Sequence, residues 1–307
     1  MKADLSPIEL KRILRKLKNL GIKNILISGG EPFLYQDLKE VLRYAKEEAS
    51  FERIVIGTNG SLCSKEALIN ISQYVDGLVI AIDGFNLENQ THLRDKGSFQ
   101  KSITAIKNAI LTGINTTMLP TLHRGNFEKL REYQVLAENL GSNLAYSLLT
   151  PSKRDFDLDR IVLTDDDFLH LVDSMAETDH VAINDFPADV TNLTFKDNCG
   201  AGTRLISIDP KGDIYPCHML HVAELYMGNM LEISEEVFRS CQQKIIQNLV
   251  RVEEREGCVD CGYRYFCGGG CFARSYFARG SYKVKDPYCD GYRKVFSNYC
   301  DALINPH

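Results

Sequence analysis

The sequence lacks an uninterrupted apolar run near the roughly 18 residues that a membrane-spanning helix requires. Its first residues lack the basic-then-apolar pattern of a secretory signal peptide. An excess of positive charge is also missing, because 36 Lys and Arg face 41 Asp and Glu for a net charge of -5. These absences argue against a membrane protein, a secreted protein and a nucleic-acid-binding protein. We therefore expect a cytoplasmic protein with no membrane and no nucleic-acid partner.

Cysteine is almost missing from the first two thirds of the chain and abundant in the last third. Of ten cysteines in 307 residues, only Cys63 precedes Cys199. In the reducing cytoplasm, clustered cysteines bind metals or act in catalysis more often than they form disulfides. The length and the missing signal disfavour the alternative, a secreted disulfide scaffold. Cys63, alone beside a predicted strand end, is expected to be a packed thiol.

Helices and short apolar strands alternate through the first 150 residues. Ser6, Pro7 and Glu9 form a capping box at the start of an amphipathic helix that Gly21 ends. Strands are predicted at 25–28, 53–57, 78–83, 115–122 and 143–149. Helices are predicted near 36–49, 64–73, 98–112 and 126–140, and from Thr164. This alternation favours parallel strands joined by crossover helices, in an α/β barrel or an open doubly wound sheet.

The composition and the periodicity of the sequence change near residue 190. Helical periodicity weakens there, and cysteine, glycine and aromatic residues accumulate. We predict a first domain at 1–190 and a second at 191–307. A region with few long apolar elements generally needs a metal to hold its fold.

Small polar residues follow three consecutive predicted strands. The first strand leads into Ser28-Gly29-Gly30-Glu31-Pro32, the second into Thr58-Asn59-Gly60 and the third into Asp83-Gly84. Because ligands bind at the carboxyl ends of parallel strands, these loops predict a rim for a small, zwitterionic, sugar-bearing ligand. Each loop alone also fits an ordinary turn. Arg94 is either a donor to a ligand carboxylate or a solvated loop arginine.

Seven cysteines have a spacing that is typical of metal clusters. They follow the order C-x17-C, then C-x2-C-x5-C-x3-C, then x17 and C, and are Cys199, Cys217, Cys258, Cys261, Cys267, Cys271 and Cys289. Seven thiolates exceed the four that one tetrahedral zinc ion uses, so iron and sulfide are the expected cargo. A pair of structural zinc sites is the alternative.

Two segments resemble known domains. Residues 6–150 resemble the radical S-adenosylmethionine (SAM) fold, through Gly29-Gly30-Glu31-Pro32, Thr58-Asn59-Gly60 and Val79–Gly84. Ala81 departs from that third motif, which usually has Ser there. The seven cysteines, with Gly212 in G-x4-C, resemble the SPASM domain that follows this fold in peptide- and protein-modifying enzymes.

The resemblance implies a partial (β/α)6 TIM-like barrel that lacks its first strand, followed by a small Cys-rich SPASM domain. It implies SAM as cofactor and two auxiliary 4Fe-4S clusters. The SAM contacts that it implies are Gly29, Gly30, Glu31, Pro32, Thr58, Asn59, Asp83 and Arg94. It assigns Cys258, Cys261, Cys267 and Cys289 to one cluster and Cys199, Cys217 and Cys271 to a second. The second cluster would have an open iron or another cap, for which Cys300 is a candidate.

The cysteine triad of the family's radical chemistry is missing from this sequence. That chemistry depends on a C-x3-C-x2-C loop after the first barrel strand, and no cysteine precedes Cys63. An N-terminally shortened enzyme, a homologue without radical chemistry and half of a split system are the explanations. We favour the first, because the rim motifs are intact apart from Ala81. We expect the chain as printed not to generate the radical, and we expect an unpaired sheet edge at Ile25–Ile27.

The family implies an oxidoreductase that modifies a peptide or protein, with thioether formation in a small ribosomal peptide as an example. An external donor of the flavodoxin or ferredoxin type would supply electrons. His218 follows Cys217 where sulfatase-maturating relatives have Asp, which disfavours that activity. His218 and His221 are either proton acceptors or ordinary packed or surface side chains. A catalytically silent iron-sulfur or electron-transfer protein is the alternative from another class.

Overall fold

The computed structural model describes residues 4–84, 97–150, 160–176, 183, 194–249 and 251–304. The strands are β1 (Asn24–Ile27), β2 (Arg53–Thr58), β3 (Gly77–Ile82), β4 (Thr116–Leu122), β5 (Asn143–Leu144), β6 (Ser147–Leu148), β7 (Ser207–Ile208) and β8 (Ile214–Tyr215). The α-helices are α1 (Pro7–Asn19), α2 (Leu38–Arg43), α3 (Lys65–Ile71), α4 (Ser98–Leu111), α5 (Leu130–Leu140), α6 (Asp165–Ala176), α7 (Glu235–Asn248), α8 (Arg264–Cys267), α9 (Phe272–Arg279) and α10 (Cys289–Ile304). Elements therefore alternate between strand and helix up to β5, as predicted.

The predicted capping box of α1 is present. Ser6 Oγ accepts a hydrogen bond from the Glu9 N–H, and Glu9 Oε2 accepts one from the Ser6 N–H at 2.8 Å. These bonds satisfy amides that have no partner within the helix. The helix buries Ile13, Leu14 and Leu17, and the chain leaves it through Gly21 with a left-handed φ of 85°. The predicted start and end of α1 are both confirmed.

One parallel sheet forms the first part of the molecule. Its strand order is β1-β2-β3-β4-β5, with β6 also pairing with β4. In the described part of the chain, β1 pairs with β2 alone, and Leu26 on β1 is 63% exposed. The architecture is mixed α/β with a partial barrel of parallel strands, as predicted.

Two predicted elements differ in detail from the structure. The strand predicted at 143–149 is divided into β5 and β6. Tyr146, between them, forms an isolated bridge with Ile183, and its buried hydroxyl donates to the Leu130 carbonyl at 2.9 Å. The helix predicted from 126 begins at Leu130. Asn126 instead holds a turn, because its Oδ1 accepts from the His123 N–H at 2.8 Å. Hydrophobic periodicity does not encode either feature.

The two faces of the sheet are covered unequally. Side chains on one face, such as Ile56, Ile80 and Met118, are fully buried. The alternate residues on the other face, including Val79 and Leu119, are half-buried. Since side chains alternate across a strand, this pattern places the helices on one face and leaves the other partly open. The rim loops lie at the carboxyl ends of β1 to β3.

The described residues of 194–304 are called the second part of the molecule from here on. They pack against the preceding residues through aromatic and polar contacts. Phe168 stacks on Tyr288 with ring centroids 4.3 Å apart, and the Tyr288 hydroxyl donates to the Leu163 carbonyl at 2.9 Å. This part holds the two-residue hairpin β7–β8 and helices α7 to α10. The predicted domain boundary near 190 falls outside the described residues and stays a prediction. No helix in the described ranges is both long and apolar enough to cross a membrane.

Candidate functional site

Glu31 joins the first two rim loops. Its Oε1 accepts from the Thr58 hydroxyl at 2.7 Å, and its Oε2 accepts from the Asn59 N–H at 2.9 Å. The Thr58 oxygen also accepts from the Gly60 N–H at 3.0 Å. The structure therefore brings Glu31, Thr58 and Asn59 together, as the sequence predicted for residues at neighbouring strand ends. Pro32 is buried in the 3-10 turn that follows Glu31.

Gly29 and Gly30 lie beside open space. A Cβ atom built on either residue would meet no heavy atom within 4 Å, and Gly29 has a φ of 137° that disfavours other residues. Asp83 differs from them, since it is only 3% exposed. Its charge contributes, after burial, to raising the pKa of Tyr133 to about 12. Arg94 lies outside the described residues.

The sequence analysis did not single out two buried polar residues near the strand ends, Ser102 and His123. The Ser102 hydroxyl, on α4, donates to the Ala81 carbonyl at 3.0 Å and lies 3.3 Å from the Asn59 carbonyl. His123, which follows β4, is 4% exposed, and its Nδ1 accepts from the Gly125 N–H at 3.0 Å. The position of His123 just after a strand is the sequence feature that could have marked it as a candidate site residue. No sequence feature marked Ser102, because serine is common on helix surfaces.

Cys63 is a packed thiol, as expected. It is 4% exposed, and its sulfur lies 3.7 Å from the Thr58 hydroxyl. Burial raises the pKa of this thiol to about 11. A protonated, buried thiol has little nucleophilic or metal-binding character.

Four of the predicted ligands surround one cavity in the second part of the molecule. The cavity encloses about 330 Å³ of empty space, part of it open to solvent. Its lining includes Cys258, Cys261, Cys267 and Cys289. These are the four cysteines that the family resemblance assigns to one cluster. In the described residues, no three His, Cys, Asp or Glu side chains converge closely enough for a single metal ion.

Positive charge lies beside these four thiols. Burial raises the pKa of Cys258 and of Cys289, and nearby cations oppose that rise. For Cys258 the largest opposing charge is Arg255, and for Cys289 it is Arg293. Cations beside a thiol favour its thiolate, which is the form that binds metal.

Three consecutive glycines, Gly268-Gly269-Gly270, follow Cys267, and Gly269 lines the cavity. The three residues have left-handed φ angles of 64°, 81° and 77°. Burial raises the pKa of the Cys267 thiol, and a hydrogen bond from the Gly269 N–H opposes that rise. The backbone therefore presents an amide to one of the four sulfurs. Such amide-to-sulfur bonds tune the potential of iron-sulfur clusters.

The other three predicted ligands, Cys199, Cys217 and Cys271, do not line this cavity. Burial raises the pKa of Cys271 to about 12, to which the nearby Cys199 thiol contributes. Cys217 is buried, and its sulfur lies 3.7 Å from Nδ1 of the exposed His218. Cys199 is exposed. His221 lies against Tyr215 and contacts the Ser207 hydroxyl at 3.0 Å, which accounts for it as a packed residue.

A buried ion pair connects the two cysteine sets. Arg274 Nε lies 3.1 Å from both carboxylate oxygens of Asp286, and both side chains are at most 1% exposed. Asp286 lines the four-cysteine cavity and also accepts from the Cys271 N–H at 2.7 Å. The ion pair thus ties a wall of the cavity to a ligand of the other set.

The residues fit the group that their pattern implies. Four thiols line one cavity, an amide faces one sulfur, and a buried nitrogen of Arg255 beside the cavity has no hydrogen-bond partner. A buried polar atom without a partner is unfavourable unless something else satisfies it. An anionic iron-sulfur core would do so.

Known proteins are similar to this chain in sequence and in fold. The chain matches the model of the radical SAM superfamily over residues 2–134 and that of SPASM, an iron-sulfur cluster-binding domain, over residues 199–262. It is 30% identical over 313 residues to mycofactocin maturase MftC of Mycolicibacterium smegmatis, covering 93% of this chain and 75% of that protein. It is 26% identical to the AdoMet-dependent heme synthase of Methanosarcina barkeri, covering 93% and 87% of the two proteins.

A solved structure has the same fold. The structure of anSMEcpe with bound AdoMet and a peptide superposes with a TM-score of 0.78 at 16% identity, covering 99% of this chain and 91% of that chain. The sequence relatives, the family models and the parallel partial barrel agree with one another. This chain therefore belongs to the radical SAM superfamily and carries a SPASM iron-sulfur cluster-binding domain.

Proposed function

We propose that this protein acts in the oxidative maturation of a peptide. SAM would bind at the rim, and two auxiliary 4Fe-4S clusters would lie in the second part of the molecule, which is called the SPASM part from here on. The observation that carries the proposal is the set of four thiols around one cavity, with the rim on the same chain. Two auxiliary clusters suit an oxidation, because an oxidised substrate must pass electrons to an acceptor.

The rim residues would orient SAM. Glu31 is held by Thr58 and Asn59, so its carboxylate is fixed beside the open space at Gly29 and Gly30. A fixed carboxylate beside an accessible backbone suits the amino group of a methionine moiety. Asp83 is buried and would act from behind the rim rather than by open contact.

The half-open face of the sheet would receive the peptide. Val79 and Leu119 are half-buried there, below the rim, and offer an apolar surface to a bound chain. MftC is named a maturase, and anSMEcpe was solved with a bound peptide, which supports a peptide substrate.

The proposed chemistry balances for a thioether. One C–H and one S–H of the peptide would be exchanged for a C–S bond. The C–H hydrogen atom would end on 5′-deoxyadenosine, which forms together with methionine from SAM and one electron of an external donor. The S–H proton would go to solvent, and the electron released as the C–S bond forms would pass to an auxiliary cluster. The protein's own part is to align the peptide, exclude water and hold the clusters.

The first test is metal analysis of the whole chain after anaerobic reconstitution with iron and sulfide. We expect about eight irons for each chain, as two 4Fe-4S clusters, with no cleavage of SAM by the chain as printed. Zinc at full occupancy, or a colourless protein, would refute the iron-sulfur assignment.

The second test addresses the peptide reaction. The DNA upstream of the Met1 codon is read for an in-frame C-x3-C-x2-C, and the form that carries it is co-expressed with the short cysteine-containing peptides encoded nearby. We expect a peptide that loses two hydrogens for each new bond. A complete triad with no modified peptide would favour a substrate that is not a peptide. Absence of any triad would favour the silent electron-transfer alternative, and formylglycine in a co-expressed sulfatase would favour the sulfatase-maturase alternative.

A further inference from the structure

A fully buried guanidinium lies beside the four-cysteine cavity. Arg255 is 0% exposed. Its Nε donates to the Val284 carbonyl at 2.7 Å, its Nη2 donates to the Ser275 hydroxyl, and its guanidinium lies 4.6 Å from the centre of the Phe272 ring. Its Nη1 is buried and has no hydrogen-bond partner among the described residues. Arg255 is thus held firmly in place with one donor left over.

The charge of Arg255 is not balanced by a carboxylate. The only other fully buried guanidinium among the described residues, that of Arg274, is paired with buried Asp286 at 3.1 Å. No described carboxylate forms an ion pair with Arg255. Among the described residues, the interior of this part therefore contains two buried guanidinium cations and one buried carboxylate. An unpaired buried charge is strongly unfavourable, so the fold implies a further anion nearby.

The cavity is where that anion would lie. Gly269 lines the cavity, and a Cβ atom on it would lie only 2.9 Å from Arg255 Nη1. The unpartnered nitrogen of Arg255 therefore lies against a glycine that lines the four-cysteine cavity. The Cys258 N–H donates to the Arg255 carbonyl at 2.9 Å, which ties the arginine to the first ligand of the set.

We propose that Arg255 is the fixed counter-charge of the iron-sulfur core held by Cys258, Cys261, Cys267 and Cys289, and that it raises the reduction potential of that core. The inference rests on the proposed function, which places the core there. Reduction adds one electron to a core that is already anionic with its four thiolates. A fixed cation at short range in a low-dielectric interior stabilises the reduced form more than the oxidised form. Arg255 is a positioning residue, since it acts on the core and touches no substrate.

The test is a redox titration of the anaerobically reconstituted whole chain, followed by electron paramagnetic resonance. The signal of this core is identified as the one that Cys261→Ala removes. In Arg255→Gln we expect the one-electron reduction of this core to be at least tenfold less favourable, which is a potential lower by about 59 mV or more. In Arg255→Lys, which keeps the charge, we expect a change of less than threefold. The matched control is Arg239→Gln, an exposed arginine of the same part, which is expected to change nothing.

Each result decides the question. Suppose that the wild type binds its full iron. If Arg255→Gln then leaves the reduction potential unchanged, or if Arg255→Lys lowers it as much as Arg255→Gln does, the proposed role of Arg255 is overturned. The proposed function stays intact in both cases. Wild type without iron would overturn the proposed function itself. Loss of this core alone in Arg255→Gln, with retention in Arg255→Lys, supports the counter-charge. Unfolding of both variants overturns it, because the hydrogen bonds to Val284 and Ser275 would then be the essential feature.

Discussion

At the scale of single residues, the three consecutive glycines of the SPASM part have separate steric reasons. A Cβ atom on Gly268 would lie 2.8 Å from the carbonyl oxygen of Asn198, the residue before the cluster candidate Cys199. One on Gly270 would lie 2.7 Å from a carboxylate oxygen of Asp286. Glycine is therefore required here both by the left-handed φ and by the close approach of other groups. The loop brings the two cysteine sets together because it has no side chains.

We predict that Gly268→Ala destabilises the reconstituted protein by about 2–4 kcal/mol, from the left-handed backbone and from overlap with a carbonyl that cannot move aside. Gly280→Ala is the matched control. Gly280 has a similar φ of 71°, but nothing lies within 4 Å of its Cβ position, so only the strain of about 1–2 kcal/mol applies. Urea denaturation and iron content measure both variants. Equal losses would show that the contact with Asn198 has no importance.

At the scale of elements, α1 of the barrel carries a contact to the second part of the molecule. Lys16 Nζ donates to the carbonyls of Met230 and Ile233, each at 2.8 Å. These carbonyls precede α7, so the ammonium group holds the start of that segment against the barrel. Burial lowers the pKa of Lys16, and repulsion from Arg12 adds to this effect. The contact joins residues more than 200 positions apart, which no sequence pattern indicates.

We expect Lys16→Met to destabilise the protein by about 1–3 kcal/mol, because it keeps the apolar stem but leaves partly buried carbonyls without a donor. Amide hydrogen exchange should rise at 230–234. The comparison is Lys18→Met on the same helix, whose exposed bond to the Ser50 carbonyl should be worth about 0.5 kcal/mol or less. If both variants behave alike, α1 does not hold the second part in place.

At the scale of the whole molecule, the two parts should depend on metal to different extents. The sheet buries a continuous apolar face beneath its helices, including Ile56, Ile80 and Met118. The described residues of the SPASM part form a hairpin of two-residue strands, one 3-10 turn and α-helices of 4 to 16 residues, with the predicted ligands on loops and helix ends. A structure of this kind takes much of its folding energy from the metal.

Removal of iron with a chelator under anaerobic conditions should therefore unfold the SPASM part first. We predict that amide protection falls by at least tenfold within 199–300 and stays within threefold of the reconstituted protein in β2, β3 and β4. Hydrogen exchange read by mass spectrometry measures both regions in one sample. Equal loss in both regions would mean that the molecule folds as one cooperative unit, and no loss in either would mean that the metal adds little stability.

The fold was largely predictable because its signals are local. The capping box of α1 needs only Ser6 and Glu9, and buried parallel strands need only short runs such as Ile54–Ile56 between helical patterns. The division of the predicted strand into β5 and β6 and the late start of α5 were not predicted. Hydrophobic periodicity carries no information on the bridge of Tyr146 to Ile183 or on the turn that Asn126 holds with His123.

The candidate site was predictable to a similar extent. The resemblance to the SPASM domain implied which four cysteines belong together, and the structure places those four around one cavity. The same spacing did not indicate Arg255, Ser102 or His123, because a buried charge or hydroxyl looks like any surface residue in a sequence. Arg94 and the predicted boundary near 190 remain predictions.

The sequence by itself determined the alternation of strands and helices and the positions of the rim motifs, since these follow from periodicity and turn chemistry along the chain, and the resemblance of its cysteine spacing to the SPASM domain gave the predicted cluster ligands. Only the tertiary structure decided which side of the sheet stays open, that Asp286 pairs with Arg274 and not with Arg255, and why Gly268 to Gly270 admit no side chain. Those features are set by contacts between residues far apart in the chain, and such contacts exist only once the chain has packed.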